Sequence, residues 1–538
     1  MFPWNKYRSK GRVFSGKTGA EGGHPLTGKL PLQPSLADNL QHLLLLLGTS
    51  PDITIRQFEV GSSRTQVAAV FTDGITDKNM VNEFILHALL IDMDDRSTQD
   101  TTADKPLFNF IKTNALMIGE IEIKKDWDGV ILSILSGDTV IFVDGCTEAL
   151  VCGTRGGEMR GVEEPSAQVV IRGPKDGFTE SIGTNVALVR RRIRSSHLRL
   201  TTMQVGRVTQ TDVAVMYING LANDKIVQEI MKRLSDIEFD SILESGYIEQ
   251  LIEDNINTPF PTMYNTERPD SVAGNLLEGR IAIFVDGTPF VLLAPATFFM
   301  FFQATEDYYQ QYIIASAIRL LRYAAFLISI FGPSIYIAAI TFHQEMIPTQ
   351  LLISLAAQRD TVPFPALVEA LIMEVAFEIL REAGIRMPRA IGQAVSIVGA
   401  LVLGQAAVEA GIISSAMVIV VSITGISSFS TPAYGMALSA RLLRFTMMIS
   451  AAILGFYGVA IVSIIAIGHL CGLRSFGIPY MAPLAPLISE DHKDILIRFP
   501  IKNLFSRPRL ISQKNTMRMG ESEGHAAAQN IQTGRKSP

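Results

Sequence analysis

Two features of this sequence contain residue types that could do chemistry: a phosphate-loop pattern near the N terminus and several glutamates within apolar sequence. Residues 11–18 read GRVFSGKT, which matches G-x-x-x-x-G-K-[ST]. That loop binds phosphate only where a buried strand precedes it and a helix follows it. Here a basic, polar stretch precedes it and GAEGGHP follows, so the pattern indicates a chance match. No zinc-ligand spacing or catalytic-serine motif occurs, and we expect no catalytic residue, no metal, no cofactor and no enzymatic activity.

The acidic residues Glu369, Glu374, Glu378 and Glu409 lie within apolar sequence. A charge inside a membrane costs several kcal/mol unless it is paired or hydrated. At about 100° per residue, Glu374 and Glu378 share one face of a helix and Glu369 lies on the opposite face. The segment 363–382 therefore has two possible interpretations. It crosses the membrane with three intramembrane acids, or it lies on the surface with its acids in headgroup water and Arg381 as their partner.

Glu409 lies in a second apolar segment, in which small residues permit close helix packing. A ring of such helices could present Gln393, Gln405 and Glu409 to water, with Val395, Ile397 or Val408 as a dry constriction. Rings of acids select cations, and apolar rings close pores by dewetting. The alternative is a tightly packed helical hairpin with Glu409 in its interface, and the residues themselves leave both interpretations open.

The composition excludes a purely soluble enzyme. Of 538 residues, 48% are hydrophobic and only 18% are charged, whereas soluble domains average about 25% charged residues. Only 13 of the 151 residues from 323 to 473 are charged. The net charge of −5 combines +5 in residues 1–35, +4 in residues 505–538 and therefore −14 between them. Basic tails on an acidic body favour a membrane surface, or free solvation, over nucleic-acid binding.

Two pairs of similar segments indicate a duplication. Residues 67–79 read VAAVFTDGITDKN and residues 213–225 read VAVMYINGLANDK; residues 139–145 read TVIFVDG and residues 281–287 read IAIFVDG. The offsets are 146 and 142 residues. We interpret them as two related subdomains of α+β or α/β class, each with a buried strand that ends in a tight Asp/Asn-Gly turn. The turn is favoured over an acidic active site because no partner lysine or phosphate loop accompanies the aspartates.

These patterns divide the chain into seven parts. They are a disordered basic tail (1–35), a first soluble subdomain (36–160), a linker with the RGPKDGF sequence (161–200), a second soluble subdomain (201–288), a helical transmembrane domain of four to six segments (289–473), a membrane-proximal segment (474–504) and a second disordered basic tail (505–538).

The apolar runs predict the membrane segments, but their number is ambiguous. Residues 289–303 are short and contain prolines, which indicates an interfacial or re-entrant segment. The predicted spans are 324–342, 363–380, 390–408, 412–429 and 445–473. The distribution of Lys and Arg places the head inside with five crossings, whereas a basic C-terminal tail on the same side requires an even number.

Six motifs in unbroken order resemble the A subunits of GerA-type spore germinant receptors. They are RGPKDGFTESIGTNVALVRRRI (172–193), PFPTMYNTERPD (259–270), VPFPALVEALIMEVAFEILREAG (362–384), GQAAVEAGIISS (404–415), YGMALSARLLRF (434–445) and IRFPIKN (497–503). The resemblance covers about residues 36–505 and makes Arg172, Gly173, Pro174 and Gly177 the signature of the head.

The resemblance implies an integral protein of the spore inner membrane with its head on the cytoplasmic, spore-core side. It implies partners: a B subunit similar to amino-acid transporters, a C-subunit lipoprotein and further copies of the chain, with a pentameric ring expected. Its implied function is a nutrient-gated channel that releases monovalent cations to start germination. The alternatives are a secondary transporter, with the three-glutamate segment as its coupling site, and a non-conducting scaffold.

Overall fold

The computed structural model describes residues 30–61, 64–90, 120–156, 170–387, 404–488 and 491–518, with a few single positions between 108 and 168. The phosphate-loop pattern at 11–18 and the pore candidate Gln393 lie outside the described residues.

Two five-stranded sheets with the same strand order form the head. The orders are β1-β2-β4-β5-β3 and β6-β7-β9-β10-β8. All pairings between these strands are antiparallel, so the head belongs to the α+β class. The strands of the first sheet are β1 (Ile53–Val60), β2 (Thr65–Thr72), β3 (Ile121–Lys124), β4 (Thr139–Val143) and β5 (Ala149–Cys152). Those of the second are β6 (Leu198–Val205), β7 (Thr211–Ile218), β8 (Tyr264–Thr266), β9 (Ile281–Val285) and β10 (Val291–Ala294).

The repeated segments occupy corresponding strands of the two sheets: 67–79 and 213–225 begin in β2 and β7, and 139–145 and 281–287 begin in β4 and β9. The helices of the first unit are α1 (Leu36–Leu47), α2 (Met80–Leu90) and α3 (Trp127–Ser136). Those of the second are α4 (Ile182–Arg192), α5 (Asp224–Ser235), α6 (Ser245–Ile252) and α7 (Pro269–Leu277). In chain order α1 corresponds to α4, α2 to α5 and α3 to α7.

The correspondence extends to individual side chains. Asn39 exchanges hydrogen bonds of 2.9 and 2.6 Å with the backbone of Gln33. Asn185, 146 residues later, exchanges bonds of 2.7 and 2.6 Å with the backbone of Thr179. The second unit therefore starts near residue 179, within the segment 161–200 that the sequence assigned to a linker.

The two Asp-Gly pairs form turns that also hold a helix start. Gly145 and Gly287 have φ of +82° and +84°, a region that glycine adopts without a Cβ clash. Asp144 accepts a hydrogen bond from the N–H of the first α1 residue at 2.9 Å, and Asp286 does the same for α4 at 3.1 Å. The aspartates therefore act as helix caps from a distant turn, which confirms the turn interpretation.

Both faces of each sheet are covered, which explains the uninterrupted apolar runs TVIFV and IAIFV. One face of the second sheet packs on α5 and α6. Its other face packs on α4 and α7, and that core continues without a break through Phe301 and Phe302 to the long helices. The ring of Phe302 lies 4.7 Å from that of Tyr323 and 4.8 Å from that of Phe326. The second sheet and the helical half thus share one hydrophobic core.

The helical half contains α8 (Glu306–Tyr309), α9 (Tyr312–Thr341), α10 (Thr349–Arg359), α11 (Ala366–Arg386), α12 (Ser415–Ser428), α13 (Tyr434–Leu454) and α14 (Phe456–Gly472). Residues 404–409 are also helical. By length and composition, α9 and α13 could each cross a membrane. The two-stranded ribbon β11 (Arg474–Ser475) and β12 (Ile478–Pro479) follows, and short 3-10 turns lie at Phe298–Phe302, Gln344–Met346, Asp491–Asp494 and Ile501–Asn503.

Several sequence expectations need correction. The segment 289–303 is neither interfacial nor re-entrant, because β10 pairs with β8 and β9 inside the second sheet, so this unit extends past residue 288. The single span expected at 445–473 is divided between two helices, because the helix ends at Gly455, where φ is +61°. The tails are shorter than expected. Leu32 is buried and its N–H bonds the Lys125 carbonyl, and Ile511 is buried in a C-terminal segment that packs on the second unit.

The two units of the head are joined by a buried ion pair. Arg190 of α4 donates to both carboxylate oxygens of Asp52 at 2.6 and 3.0 Å, and to Ser50 Oγ at 2.9 Å. Both charged side chains are almost fully buried. Removing one partner of such a pair leaves an uncompensated charge in the interior.

We expect Asp52→Asn to destabilise the full chain by about 3 kcal/mol, because Arg190 loses its counter-charge. Thermal unfolding of the purified chain in detergent micelles measures the change. The matched control is Asp240→Asn, because Asp240 pairs with Arg207 on the surface with both side chains largely exposed; its expected effect is under about 1 kcal/mol. Equal melting temperatures of the two variants would contradict the role of the buried pair.

Candidate functional site: paired charges and an exposed glutamate in the helical half

Glu374 of α11 and Arg444 of α13 form an ion pair in the interior of the helical half. Arg444 Nη1 donates to Glu374 Oε1 at 3.1 Å and lies 3.0 Å from Oε2. Both residues are 0% exposed. A lone charge at either position would lack solvent, so each side chain requires the other. The pair therefore holds α11 against α13.

Glu378 lies one turn beyond Glu374 and has three arginines around it. Arg441 Nη1 donates to Glu378 Oε2 at 3.0 Å, Arg381 approaches Oε1 to 3.4 Å and Arg444 to 3.5 Å. Arg381 also donates to Ser428 Oγ on α12 at 2.8 Å. The five charged residues form one network, which we call the Glu–Arg cluster (Glu374, Glu378, Arg381, Arg441 and Arg444). It connects α11, α12 and α13.

Glu369 has a separate environment at the other end of α11. It accepts a hydrogen bond of 2.6 Å from the N–H of Ser414 and another from the Ser414 hydroxyl. Arg359 Nε lies 4.0 Å from its second carboxylate oxygen. Ser414 is the N-cap of α12 and also accepts from the N–H of Met417. Glu369 thus holds the start of α12 against α11.

Of the arginine partners of Glu374 and Glu378, the sequence analysis named Arg381 but missed Arg441 and Arg444. Arg441 and Arg444 precede the predicted span 445–473 in the sequence, yet both lie within α13. The available signal was spacing: Glu374 and Glu378 share one helix face, and so do Arg441 and Arg444 three residues apart. Two oppositely charged faces in apolar sequence predict a pair, although not which helix supplies the partner.

The gate candidates Gln405, Val408 and Glu409 lie in the helical segment 404–409. Gln405 Nε2 donates to Glu409 Oε1 at 2.9 Å. Both side chains are exposed, and Val408 is half-buried. Among the residues that the structure describes, Gln405 is the one hydrogen-bond partner of Glu409, and no cation lies within ion-pair distance of it. Glu409 therefore differs from Glu369 and Glu374, which are buried and contact arginines.

The head signature lies beside the second unit. The Pro174 carbonyl accepts from Arg268 Nη2 at 3.1 Å, and Arg268 also pairs with Asp270 at 2.7 Å. At Gly173, where φ is +137°, a Cβ would lie 2.7 Å from the Tyr309 ring. Gly177 is buried and Arg172 is exposed. The signature thus packs where the second sheet meets the start of the helical half.

A second buried network joins that start to the C-terminal segment. Arg319 in the first turns of α9 donates to Asp307 at 3.1 Å and to Asp494 at 2.9 Å. Tyr308 donates to the second oxygen of Asp494 at 2.5 Å. Burial raises the pKa of the Asp494 carboxyl, which Arg319 opposes. Asp307, Tyr308, Arg319 and Asp494 form what we call the junction network.

Comparison with known proteins identifies the family. A family model described as "Bacillus/Clostridium GerA spore germination protein" matches residues 41–510. The chain belongs to the GerA family. Spore germination protein KA of Bacillus subtilis (strain 168) is 52% identical over 91% of this chain and 89% of its own length. Spore germination protein A1 of the same organism is 40% identical over 90% of this chain and 98% of its own length.

One solved structure also matches this GerA-family chain. It is the crystal structure of the N-terminal domain of the A subunit of the Bacillus megaterium spore germinant receptor GerK3, with 46% identity, coverage of 50% of this chain and 98% of that chain, and a TM-score of 0.39. The match to the family model and the similarity to the two curated relatives confirm the family expected from the six sequence motifs.

For this GerA-family chain we expect Arg444→Gln to lower the melting temperature, because Glu374 keeps its charge in the interior without a partner; the expected cost is about 3 kcal/mol. The double variant Glu374→Gln/Arg444→Gln removes both charges and should recover at least half of that loss. Thermal unfolding of the purified chain in micelles tests both variants.

The matched control is Arg386→Gln, whose partner Glu382 lies on the exposed face of the same helix. Its expected effect is under about 1 kcal/mol. A double variant no more stable than Arg444→Gln would contradict the pairing.

Proposed function

We propose that this chain is the A subunit of a spore germinant receptor and forms, with further copies of itself, a nutrient-gated pore for monovalent cations. The observation that carries the proposal is the Gln405–Glu409 pair, whose exposed glutamate has no arginine partner among the described residues of the largely apolar helical half. A glutamate that faces lipid costs several kcal/mol. Glu409 therefore faces water or another subunit, and a ring of copies around a hydrated axis supplies both.

Family membership supports the rest of the proposal. The relatives are spore germination proteins, and one matched structure comes from the A subunit of a germinant receptor. By resemblance we propose a B subunit and a C-subunit lipoprotein as partners, the spore inner membrane as the location and five copies in the ring. Val408, beside Glu409, is the proposed dry constriction, and Gln393 a further lining residue.

The contacts of helix ends support an even number of crossings, with the head and the C-terminal segment on one side. Near the head, Thr258 Oγ1 lies 2.9 Å from His469 Nε2 of α14, and a Cβ on Gly435 of α13 would lie 3.5 Å from Pro261. At the opposite end, Gly455 between α13 and α14 lies against His343, which follows α9. Accordingly, α9 and α13 run away from the head and α14 returns to it.

The directions of α11 and α12 relative to the head follow from their contacts. Glu369 and Ser414 bring the starts of α11 and α12 together, and Arg381 and Ser428 bring their later turns together. Glu374 pairs with Arg444 and Glu378 with Arg441, so α11 is antiparallel to α13, and both α11 and α12 run towards the head. We propose one further passage away from the head between α11 and α12, where the sequence predicts the span 390–408. The resulting six passages remove the conflict between the orientation of the head and that of the basic tail.

The charge distribution favours the cytoplasmic side for the head. Arg319, Arg322, Arg381, Arg386 and Arg441 lie towards the head end of their helices, whereas the opposite connection, 343–362, contains only Arg359. Cytoplasmic ends of membrane helices carry the excess of Lys and Arg.

We expect maleimide labelling to place residue 514 and the head on the same side. Cys146 and Cys152 are buried, and burial raises the pKa of the Cys152 thiol to about 12, so Cys471 is the native thiol to remove. In a Cys471→Ser background, Arg207→Cys and Lys514→Cys should react with an impermeant reagent from one face of sealed vesicles, and Gln350→Cys from the other. Reaction of Lys514→Cys together with Gln350→Cys would contradict the even count.

For the gate, we expect Val408→Ala to leave the pore open without nutrient and Glu409→Gln to reduce cation conductance several-fold. Single-channel recording of the reconstituted receptor complex measures both effects. The matched controls are Val420→Ala, a half-buried valine of α12, and Glu382→Gln, an exposed glutamate of α11. Conductance that is absent in every variant and in the wild type would favour the scaffold. Saturable nutrient uptake would favour the transporter.

A further inference from the structure

A cavity that is partly open to solvent lies between the second unit of the head and the C-terminal segment. Its volume is about 80 Å³, which holds several waters or one tetrahedral anion. The apolar part of its wall includes Phe299, Met300, Ile495, Leu504 and Ile511. Its charged part includes Glu278, Arg280, Lys493, Arg507 and Arg518. The cavity is separate from the Glu–Arg cluster and from the gate candidates.

Arg280 is the most buried of these cations, at 4% exposure. It donates from Nη1 to the Asn275 side chain and lies 3.6 Å from Glu278. Its Nε is buried and, among the described residues, has no hydrogen-bond partner. Burial lowers the pKa of the Arg280 guanidinium. A buried, charged donor without a hydrogen-bond partner is unfavourable, so this position favours an acceptor that arrives from elsewhere.

The cations around the cavity outnumber the carboxylates free to neutralise them. Glu278 pairs with Arg518 at 2.6 Å. Arg507 donates to backbone carbonyls, including that of Leu277 at 2.9 Å, and Lys493 lies over the Phe505 ring at 4.1 Å. Within the described part of the chain, neither Arg507 nor Lys493 has a carboxylate within ion-pair distance.

The other two acids in the wall have donors of their own. Asp494 is held by Arg319 and Tyr308 of the junction network. Asp491 accepts from the N–H of Arg509 at 2.9 Å. The cavity therefore keeps an excess of positive charge around an unsatisfied guanidinium.

We propose that this cavity binds an oxyanion, a phosphate or carboxylate group, through Arg280 with Arg507 and Arg518. Guanidinium groups bind such groups through paired, charge-assisted hydrogen bonds. Arg280 belongs to the head, whereas Arg507 and Arg518 belong to the C-terminal segment. The bound anion fastens this segment to the head.

The cavity shares a residue with the junction network, so an anion bound there affects that network. Asp494, in the same wall, bonds Arg319 at the start of α9. An anion that holds the C-terminal segment therefore also holds the junction network in register. The group has two possible sources, a free small anion and the phosphate of a lipid headgroup, since the start of α9 lies beside this segment.

The test uses the full chain in nanodiscs and phosphate-free buffer. In the first arm, discs of neutral phosphatidylcholine are titrated with inorganic phosphate by calorimetry. In the second, hydrogen exchange of residues 491–518 is compared between phosphatidylcholine discs and discs with 30–40% phosphatidylglycerol, roughly the content that gives a strongly anionic surface. Saturable heat in the first arm identifies a free anion, and protection confined to the second identifies a lipid phosphate. Either result supports the site.

Arg280→Gln should weaken the response at least about tenfold, because one charge-assisted hydrogen bond to a buried group is lost. Arg507→Gln, at a half-buried position, provides a second variant if Arg280→Gln does not fold. The control Arg474→Gln replaces an exposed arginine outside the cavity wall and should respond as the wild type does. No response in either arm, or an equal response in Arg507→Gln and the wild type, would overturn the proposal. Because the readouts are binding and exchange, failure here leaves the pore proposal intact.

Discussion

The helical half depends on one constraint: a charge inside it requires an opposite charge at contact distance. Arg444 satisfies this constraint by its bond to Glu374, and both are fully buried. Because the two residues lie on different helices, their pairing determines how α11 and α13 approach each other, and Glu378 extends the same contact to Arg441. A buried ion pair does not by itself add stability. It does raise the free energy of alternative packings, since any shift of one helix along the other separates the two charges.

The same constraint operates where the head meets the helices. The junction network places Arg319, in the first turns of α9, between a carboxylate that precedes the helix and one in the C-terminal segment. Around it, the core of the second sheet continues into the helical core through Phe302 and its aromatic neighbours. Within the described part of the chain, apolar and ionic contacts therefore connect the second unit directly to the helices. A displacement of the second unit reaches α9 through both apolar and ionic contacts.

The two units of the head share a strand order but not a role. One face of the second sheet, with α4 and α7, merges with the helical half, whereas the matching face of the first sheet forms its own closed core with α1 and α3. The first unit is attached to the second by Arg190 and Asp52. Against this background of buried and paired charges, Glu409 stands apart because its side chain is exposed and its hydrogen bond goes to a neighbouring glutamine. That difference is the physical basis for the proposal that this segment lines a pore.

The sequence by itself determined the features that depend on local pattern: the duplication at offsets of 146 and 142 residues, the Asp-Gly turns, the apolar second half and the family. It also marked Glu369, Glu374 and Glu378 as unusual, since a carboxylate in apolar sequence is visible without coordinates. Only the tertiary structure decided which side chains contact these carboxylates. Arg444 lies 70 residues from Glu374, and Asp494 lies 175 residues from Arg319; no local period connects such pairs. The break at Gly455 and the place of Val291–Ala294 in the second sheet were missed for a related reason. Apolar runs look alike whether lipid or protein covers them, and only the folded chain determines which.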